Sequence, residues 1–108
     1  MAMNEIEYQQ LVESTIESIE DAVDDSGLDI DCELNGGVLT LTCEDGSAII
    51  FSRQIANAEL WMAAKSGGYH FSYDDASQQW LCTRSGDSLT VLFSRVTDEQ
   101  AGQSITLA

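Results

Sequence analysis

The sequence predicts an α+β two-layer sandwich, with two helices packed on one face of a five- to six-stranded antiparallel sheet. Three observations predict it. Near the N-terminus, apolar residues recur at three- and four-residue spacings, the signature of one helix face. Short alternating stretches separated by Asn-Gly, Asp-Gly and Gly-Gly pairs follow, the signature of antiparallel strands and tight turns. A second, shorter helical stripe comes last. Two amphipathic helices cannot cover both faces of such a sheet, so both lie on one face and solvent meets the other. The chain has 108 residues, 44% of them apolar. That suits one domain over residues 1–108 and is too apolar for a disordered acidic tail.

The first helix is expected from Asn4 to about Val23. Tyr8, Leu11, Val12, Ile16, Ile19, Ala22 and Val23 fill one side of the wheel, at ~100° per residue. Glu13, Glu17, Glu20 and Asp24 fall on the opposite side, flanked by Asp21 and Asp25. Ser26-Gly27 ends the helix, since glycine takes a left-handed turn cheaply. A strand over Leu28–Leu34 alternates strictly, with Ile30, Cys32 and Leu34 facing one way and Asp29, Asp31 and Glu33 the other. Asn35-Gly36 reads as a type I′ hairpin turn. Val38–Cys43 returns, Asp45-Gly46 turns again, and Ala48–Arg53 forms a third strand. Further strands are expected at Glu59–Ala64, Gly68–Ser72 and Gln79–Thr83, with Asp74-Asp75 in a connection. The closing helix is expected over Ser88–Val96, striped by Leu89, Leu92, Phe93 and Val96 and capped by Asp87 or Ser88.

Charge narrows the function. The chain carries 19 Asp and Glu against 4 Lys and Arg, a formal −15. A protein that neutralises phosphates needs a basic footprint, so nucleic-acid binding of that kind is excluded, and docking on anionic membranes is disfavoured. The partner should be cationic, either a metal ion or a basic protein surface. The acids are also unevenly placed. Residues 1–45 carry −13 and no Lys or Arg, whereas residues 46–108 carry −2 and all four bases, Arg53, Lys65, Arg84 and Arg95.

A solvated helix face normally intersperses lysine, and this one has none. Like charges four residues apart, as in Glu13/Glu17, Glu20/Asp24 and Asp21/Asp25, each cost about 0.2–0.5 kcal/mol. Asp21, Asp24 and Asp25 also crowd the helix C-terminus, where the macrodipole disfavours anions. If helix and first strand are neighbours, Asp29, Asp31 and Glu33 continue these residues into one anionic ridge, whose carboxylate oxygens suit hard cations such as Ca, Mg, Mn and iron. No closed cage has the right spacing. Asp31-x-Glu33-x-Asn35-Gly36 resembles the start of an EF-hand loop but has Thr42 where the bidentate Glu belongs. Binding there should be weak, exposed and salt-dependent.

Trp61 has two readings. If Leu60 and Met62 face the helices, Trp61 stands on the open face beside Gln54 and Asn57 as an interface anchor; in the other register it is core. His70 has no Ser, Cys or second His at catalytic spacing. Cys32 and Cys43 lie on apolar phases and read as small core residues, and Trp80 and Cys82 share a structural phase. Three cysteines without a CxxC indicate a reduced compartment. The acidic N-terminus lacks the bases of a targeting peptide. No enzyme motif is present, so the chain is expected not to be an enzyme.

Four ordered segments carry a family resemblance: Asp29–Thr40, Arg53-Gln54 with Glu59–Ala63, Gly67–Phe71, and Trp80-x-Cys82-x-Arg84-Ser85-Gly86. Together, and with both flanking helices, they resemble the frataxins, and bacterial members most closely. The resemblance implies weak binding of ferrous and ferric iron by Glu20, Asp21, Asp24 and Asp25 on the helix and Asp29, Asp31 and Glu33 on the strand. Glu13 and Glu17 extend this set. It also implies action with a cysteine desulfurase and its scaffold protein in iron–sulfur cluster assembly, as regulator or iron donor. Trp61, Gln54 and Asn57 match partner-contacting positions. A bacterial cytoplasmic protein, monomeric without iron, is the expectation. Ser52 and Ala56 stand where the family usually has Asn and Pro. A different class of function also fits the charge: an acidic inhibitor that masks a basic protein surface without metal.

Overall fold

The computed structural model describes residues 4–107. Met1, Ala2, Met3 and Ala108, part of the expected 1–108 span and of the N-terminal segment just discussed, lie outside the described residues. Helix α1 (Glu5–Ser26) is followed by strands β1 (Asp31–Asn35), β2 (Val38–Thr42), β3 (Ala48–Gln54), β4 (Glu59–Ala64), β5 (Gly67–Asp74) and β6 (Gln79–Cys82), then by helix α2 (Leu89–Ala101). A 3₁₀ turn, Ile55–Asn57, joins β3 to β4. The six strands form one antiparallel meander in chain order. Among the described residues, no helix is long and apolar enough to cross a membrane.

Directly paired residues of antiparallel strands point to the same side, so the register identifies the buried face. Leu39↔Phe51↔Met62, Leu41↔Ile49 and Leu60↔Phe71↔Cys82 all face the helices. They form one core with Tyr8, Val12, Ile16, Ile19 and Val23 of α1 and Leu89, Leu92, Phe93 and Val96 of α2. This is the two-layer arrangement that the periodicities predict. The Tyr8 hydroxyl donates to the Glu59 carbonyl at 2.7 Å, and Trp80 Nε1 donates to Thr15 Oγ1 at 3.0 Å, pinning α1 across the sheet.

The helix ends follow their caps. Asn4 accepts from the Glu7 amide at 2.8 Å, and Gly27, at φ 72°, closes α1. Ser88, rather than Asp87, caps α2 by accepting from the Val91 amide at 3.2 Å. That helix runs five residues past the expected Val96 because its last buried positions are polar. Thr97 Oγ1 donates to the Phe93 carbonyl at 2.9 Å and accepts from the Ile105 amide at 2.9 Å. Gln100 accepts from the Lys65 amide at 2.8 Å and donates to Ser47 Oγ at 3.0 Å and to the Ala48 carbonyl at 3.2 Å. An apolar stripe cannot reveal a helix turn buried through satisfied hydrogen bonds.

Other boundaries move as well: α1 runs on to Ser26, β5 spans Gly67–Asp74 and so takes in Asp74, expected in a connection, and β6 ends at Cys82. The first strand begins at Asp31 instead of Leu28, because the Ile30 amide bonds the Leu28 carbonyl at 2.9 Å and closes a three-residue turn around Asp29. The first hairpin turns on Gly36-Gly37, at φ 61° and 79°, between the paired Asn35 and Val38. The expected Asn35-Gly36 is thus displaced by one residue, since two glycines supply both positive φ values without a Cβ penalty.

Gly37 has a second duty. A Cβ there would overlap the guanidinium of Arg53, whose Nη1 donates to Gln9 Oε1 at 3.0 Å and so ties β3 to α1 across the bare glycine. Gly36→Ala meets open space and adds only backbone strain, about 1 kcal/mol. Gly37→Ala should cost about 1 kcal/mol more through the displaced Arg53–Gln9 bond. In an Arg53→Ala background the two substitutions should cost the same in urea unfolding; a persisting difference would remove Arg53 from the explanation.

Candidate functional site

Two surfaces emerge, and the sequence-derived residues divide between them. On the first, α1 presents Glu13, Glu17, Asp21, Asp24 and Asp25 to solvent, with Glu20 half-buried. Asp31 and Glu33 of β1 are exposed beside it, and Asp29 is exposed in the turn leading to the strand. Helix and strand are neighbours, since Val12, Ile16, Glu17 and Glu20 of α1 line one groove with Leu34 of β1, two residues from Cys32. Partial burial first, then the charges of Glu20, Asp24 and Asp31, push its thiol above the ordinary range. A thiol on β1 that feels two carboxylates of α1 lies where the two acidic rows meet.

Cys32 itself is not a core residue. It pairs with Leu41 and lies on the helix-facing side as its phase implies, yet it is exposed. Leu34, paired with Leu39 on the same side, is 52% exposed. The sheet is wider than its cover. Six strands span about 24 Å between the outer axes, whereas two helices side by side cover about 20 Å. The edge strand β1 is left at the margin. Cys43, just past the end of β2, and Cys82, on the opposite edge strand β6 where α2 packs, are buried as expected.

Among the described residues, no three His, Cys, Asp or Glu side chains converge on one cation position. The donors are hard carboxylate oxygens on an open surface, which fits a hydrated cation held by few protein ligands more than a dehydrated one in a cage. Crowding of uncompensated acids also has a thermal consequence. The three like-charge pairs together amount to ~1 kcal/mol. Moving from low salt to about 0.2 M should therefore raise Tm by roughly 5 °C, with millimolar divalent cation doing the same. A Tm indifferent to both would show that the repulsion is already relieved.

On the second surface the Trp61 register is settled by its neighbours. Leu60 and Met62 are buried against the helices, so Trp61 stands on the open face of the sheet. Its cross-strand partners are Ser52 on β3 and His70 on β5. The indole stacks on the His70 imidazole with centroids 4.0 Å apart and planes 7° from parallel, and its Nε1 donates to Glu59 Oε1 at 2.8 Å. Gln54 pairs with Glu59, and Asn57 is exposed in the adjacent 3₁₀ turn, so both sit at the same end of this face. Ala58, at φ 52°, ends that turn in a left-handed conformation. His70 is the residue that isolated motif reading passes over. The signal lay in the two-residue Lys65-Ser66 connection, which fixes Ala64 opposite Gly67 and hence His70 opposite Trp61. The acidic row and the Trp61 face are not one site: α1 lies across the sheet from Trp61, and Asp31 and Glu33, which share the open face with Trp61, stand on β1, three strands from β4.

Comparison with known proteins matches residues 1–103 to the model of the frataxin-like domain. The chain is 50% identical, over 97% of its length and 96% of the relative's, to the iron-sulfur cluster assembly protein CyaY of Stutzerimonas stutzeri (strain A1501). It is 45% identical, over the same shares, to the protein of that name from Azotobacter vinelandii (strain DJ / ATCC BAA-1303). Among solved structures it superposes on the frataxin of Psychromonas ingrahamii with a TM-score of 0.90 at 30% identity, covering 98% of this chain and 99% of that one. A trimeric frataxin from the yeast Saccharomyces cerevisiae, complexed with ferrous, shares the fold at TM-score 0.69 and 23% identity, covering 95% of this chain and 90% of that one.

Proposed function

The chain belongs to the frataxin-like family, and from that premise we propose that it is an iron-binding, non-enzymatic protein of iron–sulfur cluster assembly. In this reading it docks on the cysteine desulfurase and scaffold proteins of the bacterial cytoplasm and regulates them or supplies iron. It is monomeric in the absence of iron. The observation that carries the reading is the exposed row of carboxylates along α1 and β1, in a stretch of 45 residues with no Lys or Arg. The relatives' names, as assembly proteins, support its place in that process.

Glu17, Glu20, Asp21, Asp24, Asp25, Asp29, Asp31 and Glu33 supply the oxygen donors. Spread over an open surface, they attract Fe2+ or Fe3+ electrostatically and replace only part of its water, so the ion stays exchangeable. The same field steers a basic protein surface, and the two cations compete for it. Trp61, with Gln54 and Asn57 beside it, serves protein contact alone. An amphipathic ring on a solvent-facing sheet is suited to anchoring a partner. Cargo exchange on carboxylates needs no reaction step at the protein, which is why the reading is non-enzymatic.

Anaerobic Fe2+ titration followed through backbone amide resonances tests the assignment. Perturbations should concentrate within residues 13–33; shifts spread evenly outside them would remove iron from the ridge. Desulfurase activity measured with and without the chain, at varied iron, tests the rest. A response unchanged by chelator would leave a metal-independent acidic inhibitor as the better account.

A further inference from the structure

Beside the acidic row, α1 and the β1–β2 hairpin do not close on each other. A groove of about 310 Å³ runs between them, with Val12, Ile16 and Leu34 as its apolar lining and Glu13, Glu17 and Glu20 along its helix side. Val12 and Ile16 are core residues, so they form the base, while Leu34 stands half out of it. Arg53 also lines the groove, but its guanidinium is engaged by Gln9 across Gly37 and is outnumbered by the three glutamates.

We propose that this groove seats one apolar side chain of a partner protein, carried on a segment with Lys or Arg on either side of it. Charge complementarity selects the occupant. An anionic ligand would meet three glutamates, whereas flanking bases would pair with them as the central side chain enters. The exposed Leu34 surface supplies what charge alone lacks. Leu34 faces the helix layer and is left half-solvated by the margin of the sheet, so an inserted side chain would remove that apolar surface from water. Long-range attraction would bring the partner to the ridge, and the groove would fix its register along it. This rests on the reading of the acidic row as a protein-docking surface and adds to it a short-range contact.

Two synthetic basic peptides of identical charge provide the test, one with a central leucine and the other with serine there. Each is titrated into the isotope-labelled full chain at low ionic strength. The leucine peptide should bind about tenfold more tightly, the effect of burying one aliphatic side chain. It should also move the methyl resonances of Val12, Ile16 and Leu34. Leu34→Met should keep the preference and Leu34→Ser should abolish it, with circular dichroism checking that both variants are folded. Equal affinities, with shifts confined to carboxylate-bearing residues, would overturn the groove and leave the ridge as a surface read by charge alone. Binding of neither peptide would overturn both.

Discussion

Reversal of three ridge charges, Glu20→Lys, Asp21→Lys and Asp24→Lys together, is expected to weaken desulfurase binding about a hundredfold at low salt, mainly through the association rate. Perturbation by Fe2+ across residues 13–33 should be lost in the same variant. Stability should move the other way. The substitutions turn the Glu20/Asp24 repulsion into a like-charge pair of the opposite sign, but they place cations in the last turns of α1, where the macrodipole favours them. They also reduce the net repulsion of a stretch that carries −13. Tm should be unchanged or higher. Loss of both ligands in a variant at least as stable as the parent cannot come from misfolding. Amide replacements, Glu20→Gln, Asp21→Asn and Asp24→Asn, should show an intermediate loss because they remove charge without reversing it. Full desulfurase affinity of the reversed variant in low salt would show that the ridge is not the docking surface.

Trp61→Ala should separate the two ligands. A central aromatic anchor is worth about 2 kcal/mol or more, so desulfurase affinity should fall at least about thirtyfold. Fe2+ titration should be unaffected, since Trp61 lies across the sheet from α1 and three strands away from Asp31 and Glu33 of β1. The fold should tolerate the change. The ring packs on no core residue of the helix-facing layer, and losing its stack on His70 costs about 0.5–1.5 kcal/mol. Calorimetric titration against the desulfurase, with thermal melts of the same samples, reads both quantities. Trp61→Phe, which retains a ring against His70, should recover part of the affinity. An equal loss of iron binding in Trp61→Ala would join the two surfaces into one site.

Much of this was legible from periodicity. Tyr8, Val12, Ile16, Ile19 and Val23 of the α1 stripe are buried, the alternation within β2 and β3 matches their burial, and the turn pairs place the hairpins within a residue. What periodicity misses has physical causes in particular residues. α2 runs on through Thr97 and Gln100 because hydrogen bonds to Phe93, Ile105, Lys65, Ser47 and Ala48 satisfy them internally. The first strand starts late because a turn at Leu28–Ile30 uses backbone that alternation alone would extend. His70 gains its neighbour only through register, which a pattern along one strand does not contain.

The sequence by itself determined the order of elements, the glycine stop of α1, the inward phase of most strands and the concentration of negative charge in the first 45 residues. These are local properties: a side chain's position along a helix or strand decides which neighbours share its face. Only the tertiary structure decided which faces are covered. Cys32 and Leu34 have the phase of core residues and yet are exposed, because two helices do not span six strands. Trp61 could be core or surface by its own spacing, and the burial of Leu60 and Met62 assigns it to solvent. The ridge, too, depends on α1 lying beside β1, for carboxylates far apart in sequence share a cation only when packing brings their elements together.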